Sequence, residues 1–186
     1  MTPNQLPNAL TIARMVMALP LLWLLMNGQF RPAFGLAILA GATDALDGFL
    51  AKRNGWQSDL GGLLDPIADK LLLSTCFFGL WWSALLPGWL VAVVMLRDAV
   101  ILVGARAWWR LEGRFRAEPS GLGKATTLAQ LVLVAMVLAR PAGFPVFPAW
   151  IAPVALATAA ITVLSGADYV LRYGRRALAH RRRDEP

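Results

Sequence analysis

Asp44, Asp47, Asp65 and Asp69 place four carboxylates in one short stretch of a chain that is otherwise strongly apolar. If the stretch is helical, Asp44, Asp47 and Ala51 fall at i, i+3 and i+7, so two acids share a face with a small residue. Asp65 and Asp69, at i and i+4, share a face of the next helix. Antiparallel packing of the two helices would gather all four near one membrane surface. Gathered anions repel, and even one charge at the centre of a membrane helix costs about 2.5–3.5 kcal/mol on insertion scales. Compensating positive charge is therefore required. A hard divalent cation, Mg²⁺ or Mn²⁺, suits carboxylate oxygens and water, whereas no cluster of histidine or cysteine is present to favour zinc. An EF-hand loop is excluded: with Gly48 at its glycine position, the first and third ligands would be Thr43 and Ala45.

Gly48 and Gly61 lie inside the acidic stretch, where a missing side chain permits close approach by a ligand or a neighbouring helix. Lys52 and Arg53 follow directly. They either snorkel to the interface or, beside a metal cluster, grip a diphosphate.

The surrounding composition decides what must hold these residues. Of 186 residues, 58% are hydrophobic and only 16% are charged, with a mean hydropathy of +0.56, which is too apolar for an ordinary soluble domain. An all-α integral membrane protein is expected, because a backbone in lipid must satisfy its own hydrogen bonds and the alternation of a spanning barrel is absent. The net charge of +7 sits beside apolar segments, so anionic membrane lipids are the expected partner and nucleic acid is not. Cys76 is the sole cysteine, which rules out an internal disulfide. No positively charged segment precedes the first apolar stretch, so no removable signal peptide is expected.

About 20 apolar residues per span predict six helices, near 9–27, 33–53, 66–86, 88–110, 122–140 and 149–172, in one domain over 1–186 with a frayed basic tail from about 173. Proline and glycine mark the gaps at "MNGQF", "LLPGW" and "RPAGFPVFPAW". Lys52, Arg53, Arg106, Arg110, Arg114, Arg116, Lys124 and the arginine-rich tail fall on one side of such a bundle; Arg31 and Arg140 fall on the other. Both termini and the acidic stretch are thus expected on the cytoplasmic side of a bacterial inner membrane.

The pattern Asp44-x2-Asp47-Gly48-x2-Ala51-Lys52-x8-Gly61-x3-Asp65-x3-Asp69 resembles the signature of the CDP-alcohol phosphatidyltransferases, departing from it at Lys52, where that family usually has arginine. "LPNALTIARM", "VVMLRDAVILVGARAWW" and "LGKATTLAQLVLV" look like the family's first, fourth and fifth helices. The resemblance implies a six-helix membrane bundle that dimerises. It further implies that Asp44, Asp47, Asp65 and Asp69 hold two Mg²⁺ or Mn²⁺ ions on the diphosphate of CDP-diacylglycerol, with Asp69 also the general base. Asn8 and Arg14 on the first helix are candidates to contact the nucleotide or to stabilise the start of that helix.

Within the family, "LLDPIADKLLLS", "LRD" and "GKATTLAQ" are similar to the branch whose acceptors bear a phosphate, the phosphatidylglycerophosphate synthases and eukaryotic-type cardiolipin synthases. Arg97 and Lys124 are the candidates for that phosphate; the alternatives are a buried Arg97–Asp98 pair and a snorkelling Lys124. "LRDAVIL" and "YGRRAL" favour phosphatidylglycerol as acceptor, and "SGADYV" favours glycerol 3-phosphate. Two other classes fit less well. A metal-ion or proton transporter would spread its acids along a path through the bilayer instead of beside one surface, and a structural lipid-binding protein would have no use for a base.

Overall fold

The computed structural model describes residues 5–54, 59–112 and 121–181, with side chains over 11–43, 67–104, 106 and 121–172. Six α-helices are present among the described residues: α1 (Gln5–Met26), α2 (Phe30–Asn54), α3 (Asp59–Trp82), α4 (Gly88–Glu112), α5 (Gly121–Ala139) and α6 (Ile151–Arg181), the last preceded by a 3₁₀ turn at Pro148–Trp150. No strand occurs among them. The chain forms two compact units, one comprising 1–87 with 134–147, the other 88–133 with 148–186.

Around an apolar core that includes Leu21, Leu25, Phe77 and Leu80, several polar groups are also buried, and many large apolar ones lie outside. Thr11, Arg14, Asp98, Thr126, Gln130, Thr158, Thr162 and Ser165 are buried, while Ile12, Val16, Leu19 and Trp23 along one face of α1, and Leu156, Val163, Leu164, Val170 and Leu171 on α6, are exposed. Apolar side chains turned outward and hydrogen-bonding groups turned inward are what a hydrocarbon solvent selects. Gly121–Ala139 and Pro148–Arg172 are long and apolar enough to cross a membrane.

In the first unit, α1 packs on both α2 and α3. Arg14 meets Asp69, and Leu25 meets Gly79 and Ser83, so sequence positions rise together and α1 and α3 run parallel. Three helices end here in the same way. Gly28 N–H donates to Leu25 O and Gln29 N–H to Leu24 O; Ala84 N–H to Trp81 O and Leu85 N–H to Leu80 O; Gly143 N–H to Arg140 O and Phe144 N–H to Ala139 O. Each is a Schellman closure, which satisfies carbonyls that the helix would otherwise leave open and needs a left-handed residue at the turn. Gly28, Ala84 and Gly143 have φ of 71°, 56° and 96°. Arg31 Nε also donates to Ala142 O at 3.1 Å, and Phe34 packs on Phe144 with centroids 4.9 Å apart. Ser83 Oγ donates to Leu25 O at 2.7 Å, tying the ends of α1 and α3 together.

Ala84 carries a Cβ in a conformation that penalises it, and its side chain is exposed. Ala84→Gly is expected to stabilise the protein by about 1 kcal/mol, read as a rise in melting temperature in detergent. A lower melting temperature would contradict this account of the α3 end.

In the second unit, α4 and α6 also run parallel, because Arg97 meets Ser165 and Ile101 meets Tyr169. α5 runs antiparallel to α6: Thr126 Oγ1 reaches Ile161 O and Thr158 Oγ1 reaches Ala129 O, both at 3.4 Å. Glycines fix how closely α4 and α6 approach. A Cβ on Gly104 would lie 2.7 Å from the Tyr169 ring, and one on Gly166 would lie 3.4 Å from Arg97 Cγ. Each helix thus accepts a large side chain of the other over a glycine.

The observed helices depart furthest from expectation in two places. α3 begins at Asp59 instead of near 66, which puts Gly61 and Asp65 inside the helix; Ser58 and Asp59 are residue types that start helices. α6 continues to Arg181, so most of the tail expected to fray is helical, as its alanine, leucine and arginine content permits.

Candidate functional site

The acidic stretch occupies the last part of α2 and the first part of α3. α3 runs with α1 and α2 returns from α1 after a short turn, so α2 and α3 run in opposite directions. Counted from Phe30 at the start of α2, Asp44 and Asp47 lie about 21 and 26 Å along the helix axis. Counted back from Trp82 at the end of α3, Asp69 and Asp65 lie about 20 and 26 Å along theirs. Each pair thus lies a similar distance along its own helix, Asp44 like Asp69 and Asp47 like Asp65. The side chains of Asn8, Asp44, Asp47, Gly48, Lys52, Arg53, Gly61 and Asp65 lie outside the described residues.

Asp69 is described. Its side chain is 46% exposed and its Oδ1 accepts from Arg14 Nη1 at 2.5 Å. Ala68 beside it is fully buried, so α3 turns Asp69 outward while its neighbour packs inward. Arg14 comes from α1, and its side chain has no exposure at all. Among the described residues no group of three or more potential metal ligands occurs, Asp69 being the one member of the acidic set whose side chain is described. The donor chemistry of that set, carboxylate oxygen throughout, fits a hard divalent cation. Cys76, two helical turns further on, is free and buried, a packing residue.

In the second unit, Arg97 on α4 is 10% exposed, and its Nη1 donates to Asp98 Oδ1 at 2.8 Å, with Asp98 12% exposed. Nη2 donates to Ser165 Oγ at 2.8 Å. The buried pair that the sequence offers as an alternative for Arg97 is thus present. Arg97 Nε is buried with no acceptor among the described residues, leaving one donor of a deeply placed guanidinium uncommitted. Lys124 lies in the first turn of α5 and is exposed. Asp168 pairs with Arg172 one turn on, at 2.6 Å, a local helix contact.

The Arg14–Asp69 pairing is not visible in the sequence, where Arg14 stands as a candidate for the nucleotide or for the start of α1. The partners are 55 positions apart, so no local spacing announces them. The one available signal is an arginine in an apolar stretch, which requires an acid from another helix.

Comparison with known proteins bears on the same residues. The sequence profile of the CDP-alcohol phosphatidyltransferase family matches residues 4–164, which includes all four aspartates. The chain is 33% identical over 186 residues to the chloroplastic CDP-diacylglycerol--glycerol-3-phosphate 3-phosphatidyltransferase 1 of Oryza sativa, covering 90% of this chain and 56% of the rice protein. It is 35% identical over 156 residues to the CMP-forming cardiolipin synthase of Homo sapiens, covering 75% of this chain and 52% of the human protein. The CDP-diacylglycerol--glycerol-3-phosphate 3-phosphatidyltransferase of Bacillus subtilis is 32% identical over 181 residues, covering 88% of this chain and 92% of its own. The chain thus spans about half the length of the rice and human relatives and nearly all of the bacterial one. With the aspartate pattern spread over two opposed helices and the family profile running through five of the six helices and into the last, the chain belongs to the CDP-alcohol phosphatidyltransferase family.

Proposed function

We propose that the protein transfers a phosphatidyl group from CDP-diacylglycerol to a phosphate-bearing acceptor and releases CMP. Membership of the family carries this reading, and Asp69, turned outward and held by Arg14, supports it. In the reaction, the Asp69 carboxylate takes the proton of the acceptor hydroxyl. The freed oxygen forms a bond to the phosphorus that carries the diacylglycerol, and the bond from that phosphorus to CMP breaks.

Asp44, Asp47, Asp65 and Asp69 would hold the cations. Two Mg²⁺ or Mn²⁺ ions, when bound, supply charge neutralisation for the diphosphate and for departing CMP. Gly48 and Gly61 leave room for the nucleotide to approach the backbone, Lys52 and Arg53 serve the diphosphate, and Asn8 contacts the nucleotide. Arg97 and Lys124 are assigned to the acceptor phosphate on the strength of the family resemblance.

The family is membrane-bound. The proposal extends to six spans, a homodimer, and an active site and termini on the cytoplasmic side of a bacterial inner membrane. The parallel pairs α1/α3 and α4/α6 and the antiparallel pair α5/α6 support alternate crossing, and the one-sided cluster of lysine and arginine supports the orientation.

Phosphatidylglycerol is the leading acceptor, which would make the product cardiolipin. Glycerol 3-phosphate is the second, favoured by the names and coverage of the rice and Bacillus relatives. Purified protein with CDP-diacylglycerol is expected to release CMP only when Mg²⁺ or Mn²⁺ is present, to stop on chelation with EDTA, and to resume when the metal is restored. Offering the two acceptors separately and identifying the lipid product by mass assigns the substrate. Product from serine or inositol alone would overturn the branch, and no CMP with any acceptor would revive the transporter reading.

A further inference from the structure

Three described ion pairs differ in how their two ends are placed. Arg97 and Asp98 are both enclosed, 10% and 12% exposed. Arg172 and Asp168 form a one-turn helix pair in which the cation is the outer partner, 62% against 22% exposed. Arg14 and Asp69 reverse this arrangement: the cation has no exposure and the carboxylate has 46%. The Arg14 side chain has no exposed surface, so it acts on anything outside through the groups it holds, the Asp69 carboxylate among them. The planar guanidinium, permanently charged, gives a carboxylate a defined direction as well as a counter-charge.

We infer that Arg14 is a positioning residue for Asp69, fixing the orientation of the carboxylate and balancing its charge without touching substrate. This rests on the proposed role of Asp69 as base. Loss of the guanidinium would leave Asp69 chemically intact but without the contact that Arg14 supplies, and a misplacement of about 1 Å in a reacting group costs roughly 10²-fold in rate. The rate of the chemical step should fall while substrate binding is preserved.

The test uses the full chain in lipid–detergent micelles, with CMP release measured for wild type, Arg14→Gln, Arg14→Lys, Asp69→Asn and the Arg14→Gln/Asp69→Asn double variant, alongside melting temperatures. Arg14→Gln is expected to lower kcat about 10²-fold with KM for CDP-diacylglycerol unchanged, and Arg14→Lys to recover part of the loss by restoring charge without the planar fork. In the Asp69→Asn background, replacing Arg14 should cost almost nothing further. If Arg14→Gln fails to fold, Arg14→Lys carries the test: a lower kcat at unchanged KM supports the inference, and wild-type kinetics overturn it. A raised KM at unchanged kcat, or equal losses in the two backgrounds, also overturns it. A wild type that releases no CMP with either acceptor would sink the functional reading and this inference together; an active wild type with an unaffected Arg14→Gln would sink this inference alone.

Discussion

Asp69→Asn is expected to lower CMP release by about 10²- to 10⁴-fold, the usual contribution of a positioned general base, while the protein remains folded. The substitution changes almost no volume and keeps an oxygen that can accept from Arg14 Nη1, the contact seen at 2.5 Å. What it removes is the capacity to take a proton and the negative charge that a cation would meet. The change would therefore spare the packing of α1 on α3 and disable the chemistry. The comparison needs turnover per folded molecule, with melting temperature and elution volume as controls. Turnover within tenfold of wild type would remove Asp69 from the role of base. A fold that collapses with the substitution would instead make the residue structural, as a lipid-binding protein without catalysis would require.

The second large effect concerns stability. Asp98→Ala removes the carboxylate from a pair whose two ends are 10% and 12% exposed, leaving the Arg97 guanidinium enclosed with Ser165 as its described acceptor. Breaking one side of a buried pair costs about 3–5 kcal/mol, because the remaining charge loses its compensation without regaining water. Replacing both partners, Arg97→Met with Asp98→Leu, should recover most of that loss, since apolar groups of similar size carry no such penalty. Ser165 can then turn its hydroxyl to a carbonyl of its own helix. Thermal unfolding of the single and double variants in one detergent checks both halves. An Asp98→Ala variant that melts with wild type would mean that Asp98 contributes nothing to compensating the enclosed Arg97 charge.

How much of the fold is visible in the sequence depends on whether a residue type carries a local signal. Apolar run length puts the ends of α1 and α5 at 27 and 140, and they lie at Met26 and Ala139, because Gly28 and Gly143 occupy the left-handed positions that close them. The same reasoning puts the end of α3 at 86, and it lies at Trp82, because the closure there uses Ala84, which nothing in the sequence distinguishes from a helical alanine. The start of α3 is misjudged because the count of apolar residues begins the span near 66, whereas the helix also takes in Asp59–Asp65 ahead of it. The spacing of the four aspartates is legible as a helical pattern, and the stretches that carry it are helical, in α2 and α3. The Arg14–Asp69 pair and the Arg97–Ser165 contact are not, since each joins helices distant in sequence, and only the fold states which turn meets which.

The reciprocal seating of α4 and α6 has a consequence for how this part of the chain can change over evolutionary time. Tyr169 rests over Gly104 and Arg97 over Gly166, so each bulky partner occupies the room its opposite number gives up. A one-turn slide of either helix would drive both large side chains out of their seats at once. Those four positions are therefore mechanically yoked: a lineage that enlarges one must shrink its counterpart or lose the close contact that keeps Arg97 enclosed.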